Sequence, residues 1–154
     1  MLKNCFMKLP EKYQIDEWQC EPVVLRLMSE NRWSRQLANQ WFQDFMRWLY
    51  TASRVGSKEK KPFSMDGLSY LDDVWHAYIL HTKLYFEMSR QLFDVEFIHH
   101  TPENPFGAPA IDSEVFEKQL MALLEDWGEP YIDRVYAYGA DLSDITSGAE
   151  IPAH

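Results

Sequence analysis

Glycine is scarce in this chain, with 6 in 154 residues, and none belongs to the closely spaced run that wraps a phosphate. Without such a loop, dinucleotide binding and P-loop chemistry have no seat. Neither G-x-S-x-G nor H-E-x-x-H occurs, which removes the serine-hydrolase elbow and the two-histidine zinc helix. Cysteine is limited to Cys5 and Cys20, with no C-x-x-C pair. An unexported chain of this size needs no disulfide, so both read as free thiols, and neither has an activating neighbour. No apolar run approaches the roughly 20 residues that cross a bilayer, and the first residues lack the apolar core and small-residue cleavage site of a signal peptide. The expectation is a cytoplasmic protein with no membrane association.

Positive charge is also in short supply. The 15 Lys and Arg face 24 Asp and Glu, for a formal charge of -9, a balance that repels a phosphate backbone and suits a basic protein partner. The only basic run, residues 58–61, is interrupted by Glu59 and is too short to track a duplex. What the chain has in quantity is apolar and aromatic side chains, at 46% and 15% of residues with six Trp. That load marks one globular domain with a shaped core.

The periodicity predicts helices. Pro22 stands where the first turn of a helix tolerates a missing N–H, ahead of Val23, Val24, Leu25, Leu27 and Met28. Over residues 34–53, Leu37, Trp41, Phe45, Trp48 and Leu49 recur at spacings of three and four, with Gln36, Asn39, Gln43 and Arg47 between them. This is the clearest amphipathic helix in the chain, and core packing accounts for its aromatics. Residues 55–67 read as a loop within the domain, and 68–93 as one long helix. Pro102, Pro105, Gly107 and Pro109 deny a helix to residues 94–112. A helix then starts at Asp112 or Ser113 and stops at Gly128, and a short one covers residues 131–138. Residues 1–20 read as an irregular arm and 140–154 as a loosely held tail. The fold class expected is all-α, a compact bundle of four or five helices in a single domain with long loops.

Residues 72–102 hold the ionisable groups that need explaining. Asp72 and His76 are one turn apart on the same helix face, close enough for a carboxylate to fix an imidazole tautomer, and Asp73 is a second candidate. His81 lies about 140° further round the axis and falls outside this set. For His99 and His100 to join His76, the chain must double back. The helix from residue 76 to 92 advances roughly 24 Å, and the following seven residues span roughly 23 Å when extended, so the return is just long enough if Phe97 and Ile98 pack along the helix. Three outcomes stay open: a buried polar network, a metal site from Asp72, His76, His99 and His100 taking zinc, iron or manganese, or metal-free acid/base catalysis. If His76 closes a buried junction, His76→Ala costs more stability than His81→Ala.

These residues also carry a resemblance. Asp72, Trp75, His76, Ile79, Thr82 and Tyr85, followed by Phe93, Phe97, Ile98, His99, His100 and Pro102, resemble the pattern D-x-x-W-H-x-x-I-x-x-T-x-x-Y with a return ending in H-H-x-P of the glycine-rich domain-containing-protein-like family. The chain departs from that pattern at Met88-Ser89, where a Cys is common, and at Asp94, where a Gly follows the Phe; it also lacks a glycine-rich tail. The resemblance implies a helical domain centred on these side chains and supplies no reaction. The leading expectation is a cytosolic protein-interaction or regulatory domain built around Asp72, Asp73, Trp75, His76, Tyr85, His99 and His100. The alternatives are a metal-dependent enzyme using Asp72, His76 and His99 or His100, and an immunity or phage-encoded inhibitor that binds a basic partner surface.

Overall fold

The computed structural model describes residues 8–56, 63–99 and 113–140, the last four as backbone only. Among them the chain forms seven helices and no strand: α1 (Lys12–Glu17), α2 (Glu21–Asn31), α3 (Arg35–Gly56), α4 (Ser69–Leu80), α5 (Thr82–Phe93), α6 (Ser113–Trp127) and α7 (Glu129–Ala140). The helical bundle is as expected, but the count of four or five is corrected twice. Part of the supposed irregular arm is helix α1, whose 6 residues make fewer than two turns and cannot display a periodicity. Its start is held by the Glu11 N–H, which donates to Gln14 Oε1 at 2.9 Å, and Ile15 buries completely.

The second correction falls at His81, which divides the expected 68–93 helix. His81 leaves the helical region at φ -88° and ψ 66°, its N–H turning back to the Tyr78 carbonyl at 3.0 Å and its carbonyl receiving the Tyr85 N–H at 2.9 Å. Neither Gly nor Pro marks the break. Arg26 of α2 holds the imidazole there, its Nε donating to His81 Nε2 at 3.1 Å. No described helix is long and apolar enough to cross a membrane.

Helix α3 is the axis of the bundle. It packs against α1, α2, α4 and α6, so it is apolar over most of its circumference: Trp41, Phe42, Phe45, Met46, Trp48 and Leu49 are all buried. Trp75 of α4 meets Trp48 with ring centroids 5.3 Å apart and Phe45 at 5.7 Å. Tilted ring pairs of this kind add about 0.5–1.5 kcal/mol beyond burial. Helices α6 and α7 form a hairpin at Gly128, whose φ of 84° is the left-handed conformation that favours glycine, and α7 lies back against α4 and α6.

Candidate functional site

The segment after α5 does double back, and a hydrogen-bonded brace fixes it. Trp75 Nε1–H donates to the Tyr85 hydroxyl at 2.8 Å, and that hydroxyl donates to the Ile98 carbonyl at 2.6 Å. A phenol has one proton to give, so Tyr85 accepts from α4 and donates to the returning chain, with no surface exposed. Burial pushes its pKa upward, and the Trp75 hydrogen bond opposes this shift; the phenol stays neutral. The reversal begins at Asp94, which caps α5 in the left-handed region at φ 54°. Its N–H reaches the Arg90 carbonyl at 3.2 Å, the five-to-one bond of a left-handed helix cap. The backbone there takes the conformation that a glycine holds at least cost.

Phe97 packs on the helix as expected, 4.9 Å from the Tyr85 ring and 5.2 Å from the Phe86 ring. His99 follows, its imidazole 5.3 Å from Phe97. Phe86, Phe97 and His99, with Glu96, line a concavity of about 730 Å³. Successive rings are inclined by 51° and 62°, so they form the walls of a cup rather than a flat stack. Phe86 is 41% exposed.

The ionisable half of the predicted centre lies elsewhere. His76 Nε2 stands 3.6 Å from Asp72 Oδ2, with the side chains 52% and 31% exposed. This pair is at the surface and is not the buried junction expected, because α4 turns Leu71, Val74, Trp75 and Tyr78 inward and leaves positions 72, 73 and 76 on its outer side. Asp73 is partly buried, and its carboxyl is pushed upward by that burial and by Asp72, against the pull of His76. Among the described residues no three His, Cys, Asp or Glu side chains gather as a metal site; Asp72, His76 and His99 form no such group, and His100 lies outside the described residues. The expected order of the two histidine substitutions therefore reverses. His81→Ala removes the acceptor of Arg26 and is expected to cost about 1 kcal/mol, whereas His76→Ala loses an exposed pair worth about 0.5 kcal/mol or less. Urea unfolding of the two variants measures this; a larger loss for His76→Ala would contradict the surface placement.

A fully buried charge on α3 lies outside every group singled out from the sequence pattern. Asp44 of α3 has no exposed surface, yet Arg134 of α7 grips it with Nε on Oδ2 and Nη2 on Oδ1, both at 2.7 Å. Gln40 adds a bond at 3.1 Å and Arg47 one at 3.4 Å, while the Tyr131 hydroxyl donates to the Asp44 carbonyl at 3.0 Å. The bonds to Asp44 raise the Arg134 pKa, and burial does the same to the Tyr131 phenol. A signal was present: Asp44 interrupts the stripe Trp41, Phe45, Trp48 at helical spacing, and a carboxylate on a buried face requires a cation. A second knot ties α6 to α3. Asp126 accepts from Thr51 at 2.7 Å and Arg54 at 2.9 Å, and Trp127 Nε1 donates to the Arg47 carbonyl at 3.0 Å and to Thr51 at 2.9 Å. The bidentate Arg134–Asp44 pair fastens α7 to α3 and the bonds of Asp126 and Trp127 fasten α6 to it.

A family model described as UCP032817-like matches residues 10–123, and the chain belongs to that uncharacterised family. This corrects the resemblance to the glycine-rich domain-containing-protein-like family, which rested on residues 72–102 alone; the longer match takes in the body from before α1 into α6. No curated protein and no solved structure matches the chain.

Proposed function

We propose that this member of the UCP032817-like family is a cytoplasmic protein-interaction domain that docks on a basic partner surface through the aromatic cup. The observation that carries the reading is the cup itself: the inclined rings of Phe86, Phe97 and His99 with Glu96 beside them, held by the Trp75–Tyr85–Ile98 brace. A Lys or Arg side chain entering it meets the negative faces of phenyl rings and a carboxylate, and each cation–π contact contributes about 0.5–2 kcal/mol. The charge of -9 speeds encounter with a basic surface and makes it salt-sensitive. A regulator and an inhibitor that masks a basic surface would use the same contact.

The test is an NMR titration of the protein with an end-blocked Lys/Arg-rich hexapeptide and with its Gln-substituted counterpart. Binding of the basic peptide at the resonances of Phe86, Phe97 and His99, weakened about tenfold in Phe86→Ala, is the expected result; this corresponds to about 1.4 kcal/mol. Equal binding of the Gln peptide, or affinity untouched by Phe86→Ala, would remove the cup as the docking surface.

A further inference from the structure

On another side of the bundle, the link between α1 and α2 crosses the first half of α3 and leaves a groove of about 760 Å³. Its α3 wall carries four carboxamides, Gln36, Asn39, Gln40 and Gln43, beside Arg35 and Phe42. Gln36 and Asn39 are exposed, and their side chains make no hydrogen bond among the described residues. Gln40 and Gln43 are anchored by their amide nitrogens, the first to Asp44 Oδ1 at 3.1 Å and the second to the Asp16 carbonyl at 3.2 Å. Their oxygens are left as acceptors. Facing them is the link, where Trp18 is extended, with φ and ψ of -68° and 129°, and Cys20, at -146° and 88°, turns the chain into α2. Between these two, the main-chain N–H and C=O of Gln19 take no part in hydrogen bonds among the described residues. The apolar lining comes from Cys20, Val24 and Phe42, each under a tenth exposed.

We infer that this groove binds an extended polypeptide segment of a partner through its main chain. A side-chain carboxamide carries the same donor and acceptor pair as a peptide unit, and Gln19 supplies that pair from the opposite side in the manner of an added strand. The dimensions agree. Gln36 to Gln43 spans about 10.5 Å along the helix, the length of about three strand residues. Alternate side chains of a strand point to opposite faces, so one would settle on Val24 and Phe42 while its neighbours face solvent. Main-chain recognition makes the site tolerant of sequence, with preference confined to the residue on that apolar floor. The half-exposed pair of Arg35 and Glu21, 2.7 Å apart, lines the same groove and offers both signs of charge to a flanking residue.

The test uses the full chain, isotope-labelled, with a library of end-blocked hexapeptides having one apolar residue at a fixed central position. Peptides are expected to shift the side-chain NH₂ resonances of Gln36 and Asn39 together with the Gln19 amide, and Gln36→Ala/Asn39→Ala is expected to weaken them at least tenfold. Methylating alternate peptide nitrogens should abolish binding, while changing the solvent-facing side chains should alter it less than threefold. The inference is overturned if no library member binds at millimolar concentration, if N-methylated peptides bind as well, or if the double variant keeps full affinity. Stronger displacement by a neutral oligosaccharide than by peptide would also overturn it and would assign the carboxamides to sugar hydroxyls. Phe86→Ala should leave this binding unchanged, which separates it from the aromatic cup.

Discussion

Replacing Arg134 by Ala is expected to destabilise the fold by about 3–5 kcal/mol, the loss typical when one partner of a buried ion pair is removed. The cost arises from what is left behind. Asp44 has no exposed surface and would lose both short contacts to its carboxylate, keeping Gln40 and a longer one to Arg47. Arg134→Lys preserves the charge but not the fork, and is expected to recover only part of the loss. The discriminating variant is the pair Asp44→Leu/Arg134→Met, which removes both charges and should lie closer to the parent than Arg134→Ala alone. Chemical denaturation at neutral pH measures all three. A loss below about 1 kcal/mol for Arg134→Ala would mean that solvent reaches Asp44 and that the pair behaves as a surface one.

The second large effect is expected at Tyr85. Phenylalanine fits the same cavity but strands two buried groups, the Trp75 N–H and the Ile98 carbonyl, at about 1–3 kcal/mol each, so a total of about 2–6 kcal/mol is expected. Adding Trp75→Phe removes one of the stranded groups, so the double variant should lose less than the sum of the two single ones. Because the hydroxyl also pins the chain that carries Phe97 and His99, Tyr85→Phe should weaken the cup's grip on a basic peptide although it touches no ligand. Thermal unfolding and the peptide titration together decide the matter. Full stability in Tyr85→Phe would leave the brace without a role.

The periodic part of the fold was readable in the residues. The Pro22 start, the aromatic stripe of α3, the Ser113 start and the Gly128 stop each follow from local chemistry, and each stands where expected. The break at His81 was not readable, because no local breaker announces it and the partner of its imidazole, Arg26, is 55 residues away. For the return of Phe97 and Ile98, reach showed only that the chain was long enough. The placement of His76 was not, since a one-residue difference round a helix decides between core and solvent. Asp44 was the harder case: its partner is 90 residues distant, so the stripe could signal that a cation was needed but not which one.

The Asp44–Arg134 latch also bears on where the domain ends. The family match stops at residue 123, inside α6 and before Asp126, Trp127, Tyr131 and Arg134. A fragment cut at that limit would retain Asp44 while discarding its guanidinium, and would lose the indole that donates to Thr51. Similarity along the chain and the contacts of the core therefore draw different boundaries, since the partners of Asp44 and Thr51 on α6 and α7 lie beyond residue 123.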